Sequence, residues 1–316
     1  MFDMQNPPLW QKAPHNAFTD LCLFRNQLFC CFREAGNHIS ADGTVRILCL
    51  AKNGGLLRQQ KVSVPGVDLR DPKLSVTPDG KLLLLAYARY ATKDNKTLYG
   101  QPTTWLSQDG QSWSSAKAFA DKNWWLWRLT WHAGRAYGVA YNRSAQQVRL
   151  YAGNPRATFD CIEPDLFSLK TRGKGYPNES DLLFQQDGTL LVLLRRDADS
   201  CTAQLGIAKP PYRRWQWQDL GFYLGGPAMK QLDDKTALLA GRIWQKRGPK
   251  TALVSLDLHS KKAKLLKVLP SAGDNSYPGL VLDNGDLYVS YYSSHLQHKA
   301  CIYLHHFRLD SLMIQI

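Results

Sequence analysis

One hairpin signature recurs six times along this chain: an apolar run, a polar turn, then a second apolar run. It reads LCLFRNQLFCCFR at 21–33, LSVTPDGKLLLLAYAR at 74–89 and LTWHAGRAYGVAY at 129–141. It returns as LLFQQDGTLLVLLRR at 182–196, MKQLDDKTALLAGR at 229–242 and LVLDNGDLYVSYY at 280–292. Gly80, Gly134 and Gly188 lie 54 residues apart. Turns at Asn26, Asp234 and Gly285 fit a repeat of about 50 residues, the length of a propeller blade. Asp-Gly and Asn-Gly supply the positive φ that tight hairpins need. Both flanking strands are nearly all apolar, so both faces are buried, as inner blade strands require.

Amphipathic segments such as TVRILCL at 44–50 and TALVSLD at 251–257 follow the hairpins and read as third strands nearer the rim. The expected fold is therefore all-β, a six-bladed propeller of four-stranded antiparallel blades, forming a single domain over 1–316. The last blade lacks a clear fourth strand after CIYLHHFRLD. The N-terminal segment near Leu9 to Lys12 can supply it, closing the ring and removing a free sheet edge. A β-sandwich seldom needs 300 residues or an even period.

Composition agrees: Trp and Tyr are abundant, with 10 and 14 copies, which suits sheet rather than helix. Seven cysteines, an odd number without zinc-site spacing, read as reduced core thiols of a cytoplasmic protein. The opening residues show no leader pattern, and no apolar run is long enough to span a bilayer. The net charge of +14 is dispersed rather than striped, so nucleic acid is not the expected partner. An anionic small ligand is expected instead, with no metal or organic cofactor.

In a blade, the start of the first strand and the end of the second meet on one face. Starts of first strands carry Arg70, Asp71, Trp127, Arg128, Glu179, Asp274 and Tyr277. Ends of second strands carry Arg33, His38, Arg195, Arg196, Arg242, Tyr291 and His295. Arginine, carboxylate, tyrosine, histidine and tryptophan on one face compose a site for a charged sugar. Arginines gathered from separate blades need either an anionic ligand or nearby acids to offset their repulsion.

The segments CCFREAGNHIS, DLRDPKLSVTPDG, WLWRLTWHAG, YPNESDLLF, LLRRD and DNSYPGLVLDNGDLYVSYYSSH resemble the sialidase superfamily, most of all bacterial BNR-repeat propellers. SQDGQSW at 107–113 resembles the Asp-box that such propellers carry between a blade's third and fourth strands. The resemblance implies a retaining glycoside hydrolase with a tyrosine nucleophile, Tyr277, activated by Glu179. His38 or Asp71 would be its general acid. Arg33, Arg195 and Arg242 would hold a substrate carboxylate. Arg70, Arg128, Arg196, Asp274, Tyr291, His295 and Trp127 would line the pocket. The first arginine of the family's triad is missing, because Asn16-Ala17-Phe18 occupies its place. Two other readings stay open: a lyase acting on uronic acids, and a carbohydrate-binding propeller without catalysis.

Overall fold

The computed structural model describes residues 7–296 and 299–313. Six antiparallel sheets follow one another along the chain. Blade 1 comprises His15–Phe24, Gln27–Ala35, Thr44–Leu50 and Leu56–Val62. Blade 2 comprises Val67–Val76, Leu82–Ala91, Thr97–Ser107 and Lys117–Ala118. In blade 3 the inner strand is broken into Trp125–Leu126 and Thr130–His132, followed by Arg135–Asn142, Gln147–Gly153 and Phe159–Ser168. Blade 4 comprises Pro177–Phe184, Leu190–Arg196, Gln204–Ala208 and Gln216–Asp219. Blade 5 comprises Gly225–Gln231, Thr236–Gln245, Gly248–Asp257 and Ala263–Val268. Blade 6 comprises Asn275–Asp283, Asp286–Ser293 and Cys301–Arg308. Every predicted hairpin is present, with positive φ at Asn26, Gly80, Gly134, Gly188 and Gly285.

The expected closure is also present. Leu9 N donates to Ile302 O at 2.8 Å, and Ile302 N donates to Trp10 O at 2.8 Å. Trp10 thus occupies the fourth-strand place of blade 6. Its ring is buried, and its Nε1 donates to Glu34 Oε1 of blade 1 at 2.6 Å. The first six residues, where part of the leader reading falls, lie outside the described residues. No described helix is long and apolar enough to cross a membrane. The seven cysteines are unpaired; Cys30, Cys31, Cys49 and Cys301 are core thiols, whereas Cys161 is exposed.

The inner strands share a deviation that period-2 alternation does not reveal. Pairing slips between Ala17 and Asp20, Arg70 and Lys73, Pro177 and Ser180, Gly225 and Ala228, and Ser276 and Gly279. Such bulges re-aim side chains, and they are frequent beside functional sites. Phe18, Asp71, Gly226 and Tyr277 sit at these slips with φ of 63°, 47°, 57° and 47°.

Beneath the bulges, polar staples fill the centre of the ring. Asp20 Oδ2 accepts from Leu74 N at 2.9 Å, and Asp181 Oδ2 accepts from Met229 N at 2.8 Å, each bond joining adjacent blades. Arg128 spans the middle, 2.6 Å from Asp20 Oδ1 and 3.5 Å from Asp181 Oδ1. Lys73 Nζ lies 4.6 Å from the centroid of the Trp127 ring. Buried charges persist only when paired in this way.

Candidate active site

Above the staples, bulge residues from blades 1, 4, 5 and 6, and Trp127 from the broken inner strand of blade 3, meet around one phenol. Tyr277 Oη donates to Glu179 Oε1 at 2.6 Å. The other oxygen, Oε2, accepts from Gly226 N at 3.0 Å and from Arg195 Nη1. Arg195 Nη1 also lies 3.2 Å from Tyr277 Oη. The Tyr277 ring contacts Phe18 at 5.3 Å and Trp127 at 5.2 Å between centroids. Burial pushes the phenol well above its ordinary pKa, and the Glu179 charge adds to this, while Arg195 and Arg242 oppose it. Tyr277 is therefore protonated at rest and can act as a nucleophile only by passing its proton to a neighbour. Glu179 is the acceptor in place.

Two further carboxylates flank the pair, with opposite electrostatics. Asp71 is buried and makes no hydrogen bond among the described residues; its closest cation is Arg70 Nε at 4.0 Å. Burial raises its pKa, Glu179 adds to the shift, and Arg70, Lys73 and His38 oppose it. Asp274 is the reverse. Burial works against its charge, but contacts from His15 Nε2 at 3.1 Å, His38 Nδ1 at 2.7 Å and Tyr292 Oη at 2.7 Å win. Its carboxyl is held well below the usual carboxylate range. His38 is half exposed, stands edge-on to Phe18 at 5.1 Å between centroids, and among the described residues has only Nδ1 of its ring hydrogen-bonded.

Three guanidinium groups reach this mouth, each with an acid beside it. Arg195 is bidentate to Asp197, with Nε donating at 3.1 Å and Nη2 at 2.9 Å. Arg242 donates from Nε to Asn275 O at 3.0 Å and lies 3.6 Å from Asp274. Arg70 donates to His38 O at 3.1 Å and lies 3.5 Å from Asp68. The repulsion foreseen between arginines is thus offset by acids. Arg242 Nη1 and Arg70 Nη2 carry no hydrogen bond among the described residues.

Six expected pocket residues point elsewhere. Arg33 is fully buried, with Nε donating to Asp68 at 2.7 Å and its other nitrogens bound to Asn37 and Ser40. It orders the 36–43 loop instead of clamping a ligand. Arg196, also fully buried, is bound to Asp199 and Ala198. Arg128 belongs to the central staple. Tyr291 donates to Pro270 O at 3.0 Å within the blade 6 core. His295 Nδ1 pairs with Ser293 Oγ at 2.9 Å. Trp127 is buried and backs Tyr277 edge-on, so it supports the phenol rather than a sugar.

Sequence reasoning missed His15, Tyr223 and Gly226. Tyr223 lies in the loop before Gly225–Gln231, with Arg195 Cζ 5.6 Å from its ring centroid. An aromatic immediately ahead of an inner strand was the available signal. Gly226 is required by close approach: a Cβ there would stand 1.6 Å from Tyr277 Cδ1. The SQDGQSW turn does lie between third and fourth strands, with Asp109 Oδ1 accepting from Gln111 N and Ser112 N at 2.8 Å.

No protein-family model matches this chain, and no curated protein matches it in sequence. Solved structures do match in fold. A Dyadobacter fermentans protein of unknown function superimposes with TM-score 0.82 at 17% identity, over 96% of this chain and 97% of that one. A Penicillium chrysogenum α-L-arabinanase complexed with arabinobiose gives 0.72 at 14%, over 96% of both chains. The NanB sialidase of Streptococcus pneumoniae gives 0.73 at 11%, over 96% of this chain and 71% of that one. The sialidase-like six-bladed propeller expected from the sequence is the fold of this protein, shared with glycoside hydrolases of different specificity.

Proposed function

We propose that the protein is a retaining glycoside hydrolase with Tyr277 as nucleophile. The observation that carries this reading is the 2.6 Å hydrogen bond from Tyr277 Oη to Glu179 Oε1, with Arg195 3.2 Å from the same phenol oxygen. Glu179 takes the phenol proton as the oxygen attacks the anomeric carbon. The bond to the leaving oxygen breaks, and that oxygen takes a proton from His38 Nε2. His38 suits the acid role because Asp274 holds Nδ1 and leaves the other nitrogen free at the mouth. Neutral His38 then deprotonates water, which attacks the same carbon. The phenolate leaves and recovers its proton from Glu179. Asp71, its pKa raised by burial and its side chain without a hydrogen bond among the described residues, takes up a hydrogen bond with a sugar hydroxyl.

The sugar carries a carboxylate, which the open nitrogens of Arg242 and Arg70 grip. A tyrosine suits such a substrate, since a neutral nucleophile is not repelled by the anion as a carboxylate would be. One observation favours a second reading, a neutral sugar: every guanidinium at the mouth already has an acid within 4.0 Å. The arabinanase likeness in fold is compatible with it.

A panel of 4-methylumbelliferyl glycosides separates the two. Release from the sialoside or uronides supports the anionic reading, and release from the α-L-arabinofuranoside alone supports the neutral one. Turnover of none of them, or a rise near 235 nm on uronate polymers (roughly where an unsaturated product absorbs), would remove the hydrolase reading.

A further inference from the structure

Tyr223 is a partition with different chemistry on its two sides. On one side its ring meets Arg195, whose Nη1 reaches Glu179 and Tyr277. On the other it lies 6.4 Å from the Trp244 ring, between centroids. Beyond Trp244 runs a cleft of about 480 Å³ lined by Phe222, Tyr223, Ile243, Trp244, Val254 and Leu265. Trp244 is 64% exposed and Leu265 is 48% exposed, so apolar surface is left open to water along its length. Trp244 follows Arg242 by two residues on the same strand, Thr236–Gln245, so the cleft begins at the edge of the mouth.

The lining decides what fits. Apart from the Tyr223 hydroxyl and the Trp244 indole N–H, its side chains offer no hydrogen-bonding group, and none is charged. A second sugar ring placed there would give up water on most of its hydroxyls without replacement, which is costly. An alkyl or aryl chain loses nothing and removes exposed Trp and Leu surface from water. We infer that the cleft binds an apolar arm on the leaving group, so that the substrate is an amphiphilic glycoside rather than an oligosaccharide. This inference rests on the glycosidase reading for the mouth, but its binding step does not need turnover.

The test compares n-octyl and methyl β-D-glucopyranoside, both below micelle concentration, by calorimetry and Trp fluorescence. The proteins are wild type, Leu265→Asp, Trp244→Ala, Tyr277→Phe and, as a control on a still more open leucine of blade 2, Leu98→Asp. The expected result is saturable 1:1 binding of the octyl compound and none of the methyl compound. Binding should weaken at least tenfold in Leu265→Asp and Trp244→Ala and stay unchanged in Tyr277→Phe and Leu98→Asp. Equal responses to both glycosides, or equal losses in Leu265→Asp and Leu98→Asp, overturn the inference. Octyl binding without turnover of any glycoside keeps the cleft and removes the glycosidase reading. Hydrolysis whose KM is indifferent to Leu265→Asp and Trp244→Ala does the opposite.

Discussion

Tyr277 Oη and Glu179 Oε1 stand 2.6 Å apart although their residues are separated by 98 positions and belong to blades 6 and 4. Such a pair moves a proton without any rearrangement of the protein. Glu179→Gln keeps the shape and removes the base, so turnover should fall about 10²–10⁴-fold. Tyr277→Phe should cost at least as much, and the double variant little more, because the two act as a unit. Steady-state kinetics on whichever glycoside the panel identifies checks this. Additive losses would contradict a shared step.

Gly226 guards the position of the phenol. A methyl group at this position, with φ of 57°, would collide with the Tyr277 ring. Gly226→Ala should lower stability by about 1–3 kcal/mol through overpacking. By displacing the nucleophile it should also cost roughly 10² in kcat. Urea unfolding and kinetics read the two effects separately, and wild-type kcat in a destabilised protein would refute the displacement.

His38 and Asp71 are told apart by leaving group. Loss of the general acid hurts poor leaving groups most. His38→Ala should cost about 10²–10⁴-fold on alkyl glycosides and under about tenfold on nitrophenyl glycosides. Asp71→Asn should lower both to a similar extent. The reverse pattern would transfer the acid role to Asp71.

Asp274 ties stability to pH. Its folded pKa is depressed, so its contribution is present above the unfolded carboxyl pKa of about 3.9 and is lost as pH falls toward the folded value. Thermal melts from pH 7 to pH 3 should show a steeper fall of Tm in wild type than in Asp274→Asn. Parallel curves would mean that the histidine and tyrosine contacts do not stabilise the charge. Asp71 has the opposite sign: its raised pKa makes ionisation destabilising as pH rises.

Arg128 is the cation between Asp20 and Asp181, both buried. Arg128→Met would leave two carboxylates uncompensated in the centre of the ring. The expected cost is about 3–5 kcal/mol. Equilibrium denaturation measures it, and a loss below about 1 kcal/mol would show that the staple is dispensable.

The fold was legible because its signals are local. Asn26, Gly80, Gly134 and Gly188 announce turns by residue type, and the strand expected at 44–50 is Thr44–Leu50 in the structure. Tyr277 and Glu179 were legible because they head inner strands, whose starts share a face. The arginines were legible only in part: Arg70, Arg195 and Arg242 reach the mouth, whereas Arg33, Arg128 and Arg196 do not. A slip of one residue sends a side chain to the other face, and five inner strands slip. Arg195 and Arg196 are adjacent at a strand end, and nothing in LLRRD tells which turns to the mouth. Only the bond from Arg195 to Glu179 and that from Arg196 to Asp199 separate them. Tyr223 escaped because loop residues carry no periodicity, and His15 because it opens its strand ahead of the apolar run that marks the first hairpin.

The bonds joining Leu9 and Trp10 to Ile302 set a schedule for biosynthesis. A nascent chain exposes Glu179 long before Tyr277 has been made. The backbone of Leu9 and Trp10 must wait for the strand at 301–308 before it has its partner. Neither the proton-transfer pair nor the lock exists until the sixth blade has been made. Any reactivity of the mouth therefore switches on in one step, and a ribosome stalled in the fifth blade holds an inert, open-edged arc in need of shelter from its neighbours.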